Sequence, residues 1–171
     1  NFSSAKQPAG AERSQVQMLA VAHILGMMMA FFAVTFVVPL LCSIVMQDGY
    51  AGHYVAAASI NLIFGSLIAW ATRSFKRELK ARDGFLLVTL AWVLMSASAS
   101  LPLLTALPNI SFTDAYFEAL SGLTTTGSTV LTNLDKLPPS INLWRHALHW
   151  FGGIGIIVLA VAVLPMLGVG G

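Results

Sequence analysis

Six consecutive residues carry the densest oxygen chemistry in the chain: Thr124, Thr125, Thr126, Gly127, Ser128 and Thr129. Extended backbone here presents successive carbonyl oxygens, with threonine and serine hydroxyls beside them. Rings of such carbonyls replace the hydration shell of a monovalent cation. Gly127 supplies the positive φ that lets neighbouring carbonyls aim the same way. Threonine is stiff at χ1, and its hydroxyl can act as a further ligand or bond to a helix behind the loop. The same residues also read as a polar helix C-cap with Gly127 at C′. Residue types alone leave both readings open.

Other groups with chemistry lie nearby in sequence. Glu118 is the acidic residue expected below the outer surface, and an intramembrane ionisable group calls for a named partner. Arg145 is that partner, with Asp135 as a second acceptor for the arginine. The alternative makes Glu118 and Arg145 solvated vestibule charges. His146 and His149 could bind a metal, but no third ligand accompanies them. An intramembrane hydrolase would use Ser121 or Ser128 as nucleophile and His149 as base. Such a site needs the base within hydrogen-bond reach and a third group to orient it. No G-x-S-x-G motif is present, and the threonine run has no role in that chemistry, so an enzyme is not expected. A non-transporting membrane subunit is a third reading.

The elements that must position these residues are membrane spans. The chain has 171 residues, 57% hydrophobic and 9% charged, with mean hydropathy +0.79, whereas soluble domains carry about 25% charged residues. The net charge is only +2. Five of the nine Lys/Arg (Arg73, Lys76, Arg77, Lys80, Arg82) fall within ten residues between two apolar runs. That cluster is a topology signal; no nucleic-acid-binding motif accompanies it, and no nucleic-acid partner is expected. Cys42 is the single cysteine. It excludes an intramolecular disulfide and offers no metal framework.

Residues 1–15 read as a flexible cytoplasmic tail. A first span covers residues 16–41, with Pro39 near its exit, and a second covers 51–70. Together, residues 16–72 make a helix pair whose second member carries Gly65 and Ala69 at close-packing spacing. His23 reads as a packing or interfacial residue, and Asn61 as an amide bonded to a neighbour. Residues 73–83 form the basic loop, which the positive-inside rule puts in the cytoplasm. The N-terminus is then cytoplasmic and the Asp48 turn is outside. The third span, 84–104, runs outward and ends around Pro102, its small residues 96–100 suited to close packing or a hydrated wall. The last helix, 142–168, enters from outside through Trp144, Arg145, His146, His149 and Trp150, with tryptophan at the headgroup level. Gly152, Gly153 and Gly155 give it a surface for close contact with the loop before it.

Between the outer ends of the third and last spans, residues 114–123 form a helix capped by Ser111 or Thr113. Ten helical residues cover about 15 Å, half of a roughly 30 Å hydrocarbon core. Residues 124–130 extended climb back by a similar distance. The segment therefore dips in and returns, and its helix C-terminus points its partial negative charge at the membrane middle.

The stretch FEALSGLTTTGSTV, residues 117–130, closely resembles the first pore loop of the Trk/Ktr/HKT superfamily of cation transporters. RHALHWFGGIGIIVLAVAVLPMLGVGG, residues 145–171, looks like the following helix in the bacterial TrkH branch, and LKARDGFLLV, residues 79–88, matches the start of the preceding helix. The resemblance covers residues 16–171. It implies an all-α membrane protein: two additional N-terminal transmembrane helices, then one helix–reentrant pore loop–helix repeat of a potassium-channel-like fold in residues 84–171. It carries potassium-filter roles to Thr125, Thr126, Gly127 and Ser128, with Thr124 as a further member, and potassium placed at Thr125 and Thr126.

The resemblance also implies potassium uptake across the bacterial inner membrane, a homodimer in the lipid bilayer, and a cytosolic nucleotide-binding regulatory subunit. Family members carry four such repeats, so one repeat is a quarter of a filter. Either the other three lie in the same longer chain, which is the favoured expectation, or four copies assemble. A channel and a proton- or sodium-coupled symport stay open.

Overall fold

The computed structural model describes residues 10–75 and 81–163. Expectations for residues 1–9, 76–80 and 164–171 lie outside the described residues. Six α-helices follow in order among the described residues: α1 (Gly10–Phe32), α2 (Val37–Met46), α3 (Ala51–Ala71), α4 (Ala81–Ala106), α5 (Phe112–Leu123) and α6 (Pro139–Val163). A 3-10 turn, Ala33–Phe36, joins α1 to α2, and another, Leu134–Lys136, precedes α6. Among the described residues there is no strand. Among the described residues, three segments are long and apolar enough to cross a membrane: Val16–Met46, Ala51–Ala71 and Arg82–Ala106. The architecture is an all-α membrane fold.

Several boundaries differ from the sequence reading. Helix begins at Gly10, inside the stretch read as tail. The first span extends past residue 41 to Met46. Pro39 is not its exit but the cause of its break. Proline lacks the N–H that would bond the Thr35 carbonyl, and its ring crowds that carbonyl, so the chain tightens to 3-10 geometry at Ala33–Phe36. Likewise α4 passes through Pro102 to Ala106, and residues 81–83 of the basic loop already belong to it. Helix α6 starts at Pro139, three residues early, because proline suits a first helical turn.

Close packing of α1 on α3 is set by two glycines. A Cβ at Gly65 would stand 2.5 Å from the Ala30 nitrogen, and one at Gly26 would stand 2.7 Å from the Ala69 nitrogen. The small residues on α3 thus meet a matching stripe on α1. His23 Nδ1–H donates to the Ala69 carbonyl at 2.9 Å, a packing role. Asn61 is fully buried, and the neighbour its amide bonds is the Ala57 carbonyl of its own helix, at 2.9 Å. On α4, Ser96, Ser98 and Ser100 are buried, so that stretch serves packing.

The core joins both halves of the chain. Phe32 and Phe36 meet Trp144, with ring centroids 6.5 and 4.8 Å apart, and the Trp144 indole N–H donates to the Ala99 carbonyl at 2.9 Å. The aromatic-belt rule puts Trp144 at the outer headgroups; in the structure it is fully buried. The reason is its place on an i, i+4 stripe of α6 (Ser140, Trp144, Leu148, Gly152) that faces protein along its whole length. Trp150, off that stripe, is exposed.

Three contacts gather one end of the bundle. His53 on α3 meets Thr105 on α4 at 3.0 Å. Asp48, in the α2–α3 turn, accepts from the Ser140 N–H on α6 at 3.0 Å. The Tyr54 hydroxyl bonds the Ser140 hydroxyl at 3.2 Å. Helix α4 therefore arrives and α6 departs at the same end, so residues 107–138 leave and rejoin it.

Candidate functional site

Helix α5 is started by Ser111, whose hydroxyl oxygen accepts from the Asp114 N–H at 3.0 Å and donates to the Asp114 carboxylate at 2.8 Å. The helix packs between α4 and α6. Its far end meets α6 backbone to backbone: a Cβ at Gly152 would lie 2.0 Å from the Leu123 carbonyl oxygen. Gly152 lies twelve residues beyond Ser140, about 18 Å down the helix axis at 1.5 Å per residue. That distance is a little over half of a hydrocarbon core about 30 Å thick.

The chain then turns at a helix C-cap centred on a different residue from the one the sequence reading named. Thr125 has φ 57°, a left-handed conformation at a β-branched residue. Its N–H bonds the Gly122 carbonyl at 2.9 Å, and the Thr126 N–H bonds the Ser121 carbonyl at 2.9 Å. These two bonds make a Schellman motif with Thr125, not Gly127, at C′. Gly127 has positive φ as well, at 78°, so the expected conformational reason for glycine holds at that position. The cap comes first and the return segment follows it, but the run is not extended throughout as the sequence reading expected: Thr124 has φ −82° and ψ 1°, and Thr125 and Gly127 have positive φ.

Residues 124–130 are all exposed. Among the described residues, the carbonyls of Thr124, Thr125, Thr126 and Gly127 accept no hydrogen bond from the protein. The hydroxyls point elsewhere: Thr124 donates to the Leu120 carbonyl at 2.8 Å, and its oxygen lies 2.8 Å from that of Thr126. Ser128 differs from the other four. Its carbonyl accepts the Ser121 hydroxyl at 2.7 Å, which ties the return segment to α5. Ser121 thus serves as a strut, and among the described residues no hydrogen bond links it or Ser128 to His149, as a hydrolase would require.

Glu118 holds the segment from behind. It is 5% exposed, and its Oε1 accepts from the Thr129 hydroxyl at 2.5 Å, the Val130 N–H at 2.7 Å and the Leu131 N–H at 3.3 Å. Oε2 accepts from Arg145 Nε at 3.0 Å. Arg145 also donates to Thr129 at 3.1 Å and to Asn142 at 3.5 Å. The expected pair is present, but it forms a buried clamp instead of two solvated vestibule charges. The second acceptor differs from the expectation: among the described residues, Thr129 and Asn142 take the role given to Asp135. The clamp on backbone N–H groups has no counterpart in the sequence reading.

The two histidines are occupied locally. His146 Nδ1–H donates to the Asn142 carbonyl at 2.7 Å, and His149 Nδ1–H donates to the Arg145 carbonyl at 2.9 Å. His149 Nε2 then faces the loop, 3.8 Å from where a Gly127 Cβ would stand. Among the described residues no His, Cys, Asp or Glu cluster could hold a metal ion.

Asp48 lies outside the membrane-spanning segments. Burial pushes its carboxyl up, but hydrogen bonds from Ser43, Ser140 and Tyr50 outweigh this and hold it below its ordinary value.

Comparison with known proteins bears on the fold and the family. Residues 52–171 match the family described as TrkH, cation transport protein. The chain is 47% identical over 157 residues to the Trk system potassium uptake protein TrkH of Vibrio parahaemolyticus, covering 91% of this chain and 32% of that relative. It is 45% identical over 153 residues to the protein of the same name from Escherichia coli K12, covering 89% and 32%. The crystal structure of the potassium transporter TrkH from Vibrio parahaemolyticus superposes with a TM-score of 0.83 at 46% identity, covering 90% of this chain and 33% of that one. The chain spans about a third of the length of the relatives it matches. By its residues 52–171, and by helices that follow a solved member of the group, this chain belongs to the TrkH family of cation transport proteins.

Proposed function

We propose that residues 124–128 form one quarter of a potassium-selective filter, in a protein that takes up potassium across the bacterial inner membrane. The carrying observation is the row of four carbonyls, at Thr124, Thr125, Thr126 and Gly127, that accept nothing from the described protein. They follow a helix whose negative end stops near mid-membrane depth. An unpaired carbonyl in hydrocarbon is costly, and a partly dehydrated cation is a partner that removes that cost. Thr125 and Thr126 are the central ligands. Ser128 contributes at the edge of the filter, since its carbonyl is shared with Ser121. The names of the relatives, all potassium uptake proteins, support the choice of ion.

The remaining three walls come from further repeats of the same longer protein, a reading supported by relatives about three times as long. That protein works as a homodimer, with its N-terminus in the cytoplasm, and binds a cytosolic nucleotide-binding regulatory subunit; these features come from the family resemblance and from the basic loop at residues 73–83. The test is growth rescue and potassium flux by the full-length protein. Gly127→Asp, which adds a side chain at a positive φ and a charge among the ligands, abolishes uptake at wild-type abundance. Intact flux in that variant would refute the filter reading.

A further inference from the structure

The two N-terminal helices carry no filter residue, yet the structure ties them to the pore repeat at a partly buried polar junction. Helix α6 begins with an uncapped donor. The residue before it is Pro138 and its first residue is Pro139, so neither supplies the Ser, Thr, Asp or Asn side chain that caps a helix N-terminus. The Ser140 N–H is left without a local acceptor. Asp48, 92 residues earlier in the chain, fills that place with Oδ2 at 3.0 Å. Its other oxygen accepts from the Ser43 hydroxyl and from the Tyr50 N–H at 3.2 Å, and Tyr54 completes the junction through Ser140. A carboxylate at this point also meets the positive end of the α6 dipole.

Ser140 heads the stripe that ends on the pore loop. One turn on, Trp144 packs against Phe36 with tilted rings. Two turns on, Leu148 meets Gly122, whose Cβ would lie 2.9 Å from the Leu148 Cβ. Three turns on, Gly152 abuts the Leu123 carbonyl. Arg145 and His149, beside that stripe, face Glu118 and Gly127. A helix is stiff along its axis, so its depth and rotation at Ser140 fix where those contacts fall.

We propose that Asp48 is a positioning residue for the filter: by capping α6 across the bundle, it makes the N-terminal helix pair the reference that sets the pore loop's geometry. The proposal rests on the filter reading of residues 124–128. In the full-length protein reconstituted in vesicles, Asp48→Ala lowers the potassium-over-sodium flux ratio about fivefold, the effect a single lost cap has on an equilibrium. Asp48→Asn restores the ratio to within about twofold of wild type, because its one oxygen still accepts from Ser140 and the Ser43 hydroxyl can accept from the amide, so that only the Tyr50 N–H loses its acceptor. A variant that melts earlier but keeps the wild-type flux ratio overturns the proposal, since it leaves Asp48 a stability role only.

Should Asp48→Ala fail to accumulate, Ser140→Pro removes the donor at a position where a first helical turn tolerates proline. It lowers the ratio similarly, and an unchanged ratio there also overturns the proposal. Gly127→Asp in parallel separates the two readings. If it leaves uptake intact, the filter reading fails; if it abolishes uptake while Asp48→Ala keeps its selectivity, only the positioning role fails.

Discussion

Arg145 Nε sits 3.0 Å from Glu118 Oε2, while the other oxygen of Glu118 holds Thr129, Val130 and Leu131. One buried carboxylate therefore joins α5, the return segment and α6. Removing a single partner of a buried pair typically costs about 3–5 kcal/mol, because the other charge is left uncompensated. Glu118→Ala and Arg145→Ala should each destabilise the full-length protein by about that much. The double variant should fall short of the sum, since neither orphan then remains. Thermal unfolding of the four proteins in detergent measures the coupling. Simple additivity would mean that the pair is not one unit.

Two adjacent glycines separate packing from helix propensity. A Cβ at Gly152 would collide with the Leu123 carbonyl at 2.0 Å, whereas one at Gly153 would find Thr125 Cγ2 at 4.0 Å, an ordinary contact. Both changes raise helix propensity by about 0.8–1 kcal/mol. Gly153→Ala should therefore keep uptake and gain slightly in stability. Gly152→Ala should push α6 from the end of α5 and lose uptake. Equal behaviour of the two in flux assays would show that the α5–α6 contact does not shape the loop.

What can be read from the residues alone is local or patterned. The spans follow from apolar length, the turn-back from arithmetic on residues 114–129, and the Glu118–Arg145 pair from the need to partner a membrane charge. The ligand set comes from the resemblance. Thr125 escapes such a reading because left-handed backbone at a β-branched residue runs against local preference, and only the surrounding contacts hold it. The Asp48–Ser140 cap escapes because caps are sought next to their helix, and here two prolines stand where the cap would be. Trp144 is misplaced by the aromatic-belt rule. Its stripe with Ser140, Leu148 and Gly152 is visible at i, i+4 spacing and points to burial.

The backbone at Thr125 offers a separate test. A left-handed conformation costs a residue with a Cβ about 1–2 kcal/mol, and glycine avoids this while losing about 0.5–1 kcal/mol through unfolded-state freedom. Thr125→Gly should thus be no less stable than wild type in thermal unfolding. Its potassium-over-sodium flux ratio should nevertheless fall, because the stiff threonine no longer restricts the carbonyls on either side. A variant that keeps its selectivity would show that φ at residue 125 serves only the helix cap.

Asp48 gives the fold an acid-sensitive contribution of definite sign. Its carboxyl is held below the ordinary value by bonds from Ser43, Ser140 and Tyr50, which outweigh the effect of burial. A depressed folded-state value means that the unfolded chain takes up the proton first as pH falls. The stabilisation is therefore complete well above the ordinary aspartate value of about 3.9, and is lost as pH drops through the lowered value. An amide at this position has no such proton to take up, so Asp48→Asn should melt below wild type between about pH 6 and 7, and the gap should close below about pH 4. Melting curves of both proteins across that range measure it. A gap that stays constant down to the acid limit would show that the carboxylate charge adds nothing to the cap, and that hydrogen-bond geometry alone holds α6 to the α2–α3 turn.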